Sequence, residues 1–140
     1  MQQPTKSYTQ RTLENIQAAL APLASVFADT TVNEIMINGP SDVFIRQRGP
    51  DQKLAITLGG DAIHTAITLL ATISKKVIGG ETLMLSARLP GFRVEACLPP
   101  VAVKGPTMCI RRHSTRIITL DEYITSGTMT LQQAEVMKHM

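Results

Sequence analysis

Residues 83–112, LMLSARLPGFRVEACLPPVAVKGPTMCIRR, decide how this chain folds. Three runs within it, 83–89, 92–98 and 107–112, alternate apolar with polar residues. That period places successive side chains on opposite faces of a half-buried strand. Pro90-Gly91 separates the first two runs, and Pro99-Pro100 stops the second, because proline has no N–H to give to a ladder. On 92–98, Phe92, Val94, Ala96 and Leu98 share one face, and Arg93, Glu95 and Cys97 the other. On 107–112, Met108 and Ile110 oppose Thr107, Cys109 and Arg111. If the apolar faces lie together, Arg93 and Arg111 leave the sheet on the same side. Arg112 has core parity, and reaches solvent only because its strand is ending.

Working outward, VNEIMIN (32–38) and DVFIRQR (42–48) are short β-branched runs around a Gly-Pro-Ser turn, which predicts a hairpin. Leu54, Ile56 and Leu58 alternate and predict a further strand. Gly59-Gly60 breaks it, and Asp61 is placed to cap a helix to about Ile78. The apolar face of that helix is Ile63, Ala66, Ile67, Leu70, Ile73 and Val77, and Gly79-Gly80 closes it. An earlier helical pattern, Arg11 to Phe27, is interrupted by Pro22. Residues 119–122 and 130–133 both have the spacing of a capping box, so two short helices follow. The expected architecture is α+β: a mixed sheet of about six short strands with helices packed on it. Residues 1–10 read as a flexible N-terminus, 11–113 as the domain, 114–118 as a linker and 119–140 as the start of something longer.

A chain of 140 residues with 44% hydrophobic and 18% charged content can bury one modest core. Its net charge of +3 is too mild to announce a nucleic-acid binder, but Lys104, Arg111, Arg112, His113 and Arg116 gather within one segment. Trp is absent and aromatics are sparse, which argues against stacking platforms for bases. Cys97 and Cys109 form no CxxC and read as free thiols of a reducing compartment. The longest nearly apolar run, AITLLATI (66–73), is far shorter than the roughly 18 residues a membrane span needs. Without a signal sequence at the start, the expected location is cytosolic.

No nucleophile–base pair, carboxylate pair or metal-ligand spacing is found, and the GxxxxGK[ST] phosphate loop occurs nowhere. The arginines are the remaining candidates, and two readings stand. They are solvated cover paired with Glu95, or they are forked donors held toward a phosphate. Alternation alone does not choose between them.

The segments VNEIMINGPSDVFIRQRG, SARLPGFRVEACLPPVAVKGPTMCIRRHS and TLDEYITSGTMT together resemble the N-terminal region of the secretion traffic ATPases. That family serves type IV secretion, conjugation and tight-adherence pilus assembly, and the ending is most similar to its conjugal-transfer branch. The resemblance implies a domain linked to a RecA-like motor, of which 119–140 would be the first helices. It implies a homo-hexameric ring, cytoplasmic and peripheral at the inner membrane, that works with channel components of a secretion or conjugation system. ATP with Mg would lie between the two domains. Arg93 and Arg111 match the arginines that reach the γ-phosphate, with Arg88 and Arg112 as secondary contacts. The phosphate loop is expected beyond Met140, so these 140 residues alone should not hydrolyse ATP. Two departures are visible: the Pro90-Gly91 turn is a residue shorter than the family's, and Ser86 stands where an acid is usual. The alternatives are a basic nucleic-acid-binding module and a pure assembly module, and direct contact with nucleic acid is not expected.

Overall fold

The computed structural model describes residues 6–140. Helix α1 (Tyr8–Ala19) starts three residues before the expected Arg11, because Ser7 caps it by accepting the Gln10 N–H at 3.2 Å. Pro22 acts as expected: a 3₁₀ turn (Ala21–Leu23) follows α1, and a separate short helix α2 (Ala24–Ala28) carries Phe27 into the core. The strands are β1 (Glu34–Gly39), β2 (Asp42–Arg46), β3 (Gln52–Lys53), β4 (Met84–Leu89), β5 (Phe92–Cys97) and β6 (Thr107–Arg112). Helix α3 (Ala62–Ser74) lies between β3 and β4, and α4 (Leu120–Thr125) and α5 (Leu131–Lys138) close the chain.

The six strands form one sheet in the order β3-β2-β1-β6-β5-β4, and every pairing is antiparallel. The expected mixed sheet is therefore corrected. A crossover helix yields a parallel pair when the next strand lands beside the last one. After α3 the chain instead reaches the far edge and returns through β5 and β6 until β6 meets β1. The 54–58 stretch is a second correction. Leu58 is buried, but the segment forms no ladder: its backbone bonds to the sheet side are scattered, Leu54 N to Val43 O and Leu58 N to Pro40 O, both 2.8 Å. The strand at that edge is instead the two residues of β3.

Helix α3 also stops earlier than Ile78. Lys75 adopts the left-handed conformation (φ 53°), and the Lys76 N–H reaches back to Ala71 O at 3.1 Å, closing the helix one turn before the glycines. Asp61 precedes the helix but makes no side-chain cap bond. Helices α1 and α3 lie against one face of the sheet, where Ile16, Leu20, Ile35, Ile37, Ile67, Leu70, Val94, Met108 and Ile110 are almost fully buried. The opposite face holds the polar half of each alternation. Both capping boxes form, Thr119 with Glu122 and Thr130 with Gln133.

Candidate functional site

The open sheet face is organised by register. Arg88 of β4 pairs with Arg93 of β5, Arg93 with Arg111 of β6, Arg111 with Glu34 of β1, and Glu34 with Arg46 of β2. Five strands thus set five charged residues abreast, three of them consecutive arginines. Directly opposed residues on one face have Cβ atoms about 5 Å apart, and like charges there oppose folding. The short turn keeps this row in line. Gly91, at φ 78° behind Pro90, makes the tight corner, and Leu89 pairs directly with Phe92 without a bulge. Arg93 and Arg111 leave the sheet on the same side, as the alternation predicts.

The four candidate arginines differ in what holds them. Arg93 pairs with Glu95 two residues along its own strand at 3.3 Å, with both side chains more than half exposed. Surface pairs of this kind contribute roughly 0–1 kcal/mol, so a phosphate can displace the carboxylate. Arg111 is exposed and, among the described residues, makes no ion pair. It borders a cleft at the strand ends together with Asn33, Glu34, Arg46, His113 and Arg116. Arg116 on the far side pairs with Glu122, the acid of the α4 capping box. Arg88 is likewise exposed and without an ion pair among the described residues.

Arg112 lines the same cleft as Arg111, but its guanidinium does not join the row. Its guanidinium turns to the helix side and donates to three backbone carbonyls, Phe27 O (2.8 Å), Val32 O (2.9 Å) and Asp29 O (3.1 Å). It also lies over the Phe92 ring at 4.8 Å, and Phe92 meets Phe27 edge-on at 5.8 Å. The side chain fastens the loop after α2 to the end of β6.

Glu34 is the residue that sequence reasoning missed. Its Oε2 accepts from Arg46 Nη1 at 3.0 Å, and its Oε1 accepts from the Cys109 thiol at 2.8 Å. Arg46 is itself held by Asp51 in a fork, Nε to Oδ1 at 2.8 Å and Nη2 to Oδ2 at 3.3 Å. Burial, followed by the hydrogen bond to Glu34, pushes the Cys109 thiol up to about 12. Cys109 therefore stands beside the arginines as a neutral donor rather than a nucleophile. Iodoacetamide at about pH 8 should leave Cys109 unmodified in the folded chain and alkylate it once urea is added. Rapid alkylation of the folded chain, located by peptide mass mapping, would remove the Glu34 bond from the account.

The arrangement offers cationic donors to an anion. Guanidinium groups on rigid strands offer several N–H donors to phosphate oxygens. No cluster of three or more His, Cys, Asp or Glu able to hold a metal ion exists among the described residues.

No family model matches the chain. It is 34% identical over 131 residues to the probable conjugal transfer protein TrbB of Sinorhizobium fredii, which covers 91% of this chain and 40% of that protein. The chain belongs to the VirB11/TrbB-type family. It corresponds to the N-terminal region of that family. Protein VirB11 of Agrobacterium fabrum is 29% identical over 109 residues, covering 76% of this chain and 32% of that protein. The fold agrees with the crystal structure of the VirB11 ATPase of the Brucella suis type IV secretion system in complex with sulphate. The TM-score is 0.71 at 23% identity, over 86% of this chain and 37% of that one. The VirB11/TrbB-type chain thus spans about a third to two fifths of the length of these relatives. No helix among the described residues is long and apolar enough to cross a membrane.

Proposed function

We propose that this domain supplies Arg93 and Arg111 to a nucleotide site completed by a RecA-like motor domain, in an ATPase that energises type IV secretion or conjugation. The observation that carries this reading is the row of three like charges, Arg88, Arg93 and Arg111, at one register on the uncovered face. Folding alone disfavours such a row, and a polyanion received there offsets the repulsion. The residues fit the phosphates of ATP but not its Mg, for which this chain offers no carboxylate cluster among the described residues. The metal and the phosphate loop belong to the motor domain in this reading. ATP supplies the phosphoryl group, and the two guanidiniums neutralise charge on its terminal oxygens.

Arg112 takes no part, because its Nε and Nη2 donors are committed to carbonyls on the helix side. Arg88 is a secondary contact at the edge of the row. Residues 114–118 act as the linker, and α4 and α5 open the motor domain, so that closure over the nucleotide is felt through Arg116 and Glu122. The working assembly is a homo-hexamer at the cytoplasmic face of the inner membrane, docked on channel components.

Sodium tripolyphosphate, titrated into this chain and followed by side-chain ¹⁵N–¹H NMR, tests the site without the motor domain. The Nε resonances of Arg93 and Arg111 should shift together at millimolar concentrations while that of Arg112 stays fixed. Equal shifts at every surface arginine would reduce the face to solvated cover. A basic nucleic-acid module would instead bind single-stranded DNA tightly, with a steep loss on adding salt. Weak, millimolar-range DNA binding is the expected result.

A further inference from the structure

Glu34 and Arg46 have no role in gripping phosphate as described, yet they complete the row in which Arg111 stands. Glu34 is flanked in register by Arg111 on one strand and Arg46 on the other, so either guanidinium could take its carboxylate. Among the described residues, its side-chain hydrogen bonds all avoid Arg111. Oε2 receives Arg46 at 3.0 Å, and Oε1 receives the Cys109 thiol at 2.8 Å. Asp51 fixes Arg46 through the opposite edge of its guanidinium, which leaves Nη1 aimed at Glu34. Only 19% of the Glu34 side chain is exposed, so water cannot easily replace a lost donor, and such a carboxylate takes the nearest available one.

We propose that Arg46, braced by Asp51, diverts Glu34 from Arg111 and so keeps Arg111 free to bind an anion. Arg46 is then a positioning residue: it acts on the phosphate ligand through an acid and does not itself touch phosphate. The proposal rests on the reading of Arg111 as a phosphate ligand. Its physical content is a competition. A Glu34–Arg111 pair must be broken before phosphate can enter, whereas a Glu34–Arg46 pair need not be.

The sign of the effect is specific. In the full-length ATPase, Arg46→Ala should raise the KM for ATP about fivefold, as the released carboxylate occupies Arg111. Glu34→Gln alone should change KM by less than about twofold, because Glu34 is already diverted. Combined with Arg46→Ala, it should return KM to within about twofold of the parent. Asp51→Asn, which loosens Arg46 and leaves Glu34 in place, should move KM in the direction of Arg46→Ala by a smaller factor. Loss of a distant positive charge would instead give additive factors, and equal effects of Glu34→Gln in both backgrounds would overturn the proposal.

A second readout needs no nucleotide. In this chain, the Arg111 Nε–H should become slower to exchange in Arg46→Ala and return to parent behaviour in the double variant. An Arg111 signal indifferent to Arg46 would overturn the proposal whatever the kinetics show. If Arg111→Ala leaves turnover intact, the phosphate reading falls, and the exchange measurement still decides whether Arg46 controls Glu34.

Discussion

If this domain serves the proposed nucleotide site, Arg111→Ala in the protein that joins it to the motor domain should lower ATP turnover by about a hundredfold or more while leaving the fold intact. The size follows from what a preorganised guanidinium does for phosphoryl transfer, where single cationic groups supply factors of roughly 10²–10⁵. Arg111 is suited to that task by what it lacks: among the described residues no acid pairs with it, so no internal partner must be displaced. Its removal also leaves no buried group unsatisfied, because the side chain is exposed. Thermal unfolding of the variant should therefore match the parent. Arg93→Ala should act in the same direction with a smaller factor, since Arg93 must first release Glu95. Steady-state ATPase assays read both. Unchanged turnover in Arg111→Ala would leave the arginine row without the role given to it.

Arg112→Ala should behave in the opposite way, with a large loss of stability. Three carbonyls, those of Phe27, Asp29 and Val32, lose their charged donor together, and the Phe92 ring loses its stacked cation. Hydrogen bonds to a charged group contribute about 1.5–3 kcal/mol each when isolated, and carbonyls near the surface regain water. A net loss of about 3 kcal/mol is expected, or a Tm lower by roughly 10 °C. Lysine should not rescue it, because a point charge cannot reach carbonyls spread along the guanidinium plane. Differential scanning calorimetry of both variants decides the matter, and a Tm within a degree or two of the parent would contradict the fastening role. The neighbouring arginines thus separate cleanly. Arg111 should move activity without stability, and Arg112 stability first.

Much of this was legible because strands advertise their faces. The alternation in 83–112 placed Arg93 and Arg111 on one side before any partner strand was known, and the register bears that placement out. The helix over 62–74 and both capping boxes follow from local spacing of the same kind. What escaped depends on distant neighbours. Glu34 meets Arg46 12 residues away and Cys109 75 residues away, contacts that no local spacing encodes. One signal existed: Glu34, Met36 and Asn38 alternate with Ile35 and Ile37, which marks Glu34 for the open face. Its use required knowing that β1 lies beside β6. The same long-range choice made the sheet wholly antiparallel, since the landing place of β4 is set by the packing of α3 and not by residues within either element. Arg112 has the parity of a core residue, and carbonyl partners 80 to 85 residues earlier give it a structural role that no local spacing encodes.

The most direct test is a structure of the full-length protein with a non-hydrolysable ATP analogue and Mg. The account predicts the guanidiniums of Arg93 and Arg111 both within about 3 Å of γ-phosphate oxygens, with Glu95 released and Glu34 still on Arg46. Finding the terminal phosphate bound with both guanidiniums turned away, or Arg111 closed onto Glu34, would contradict it.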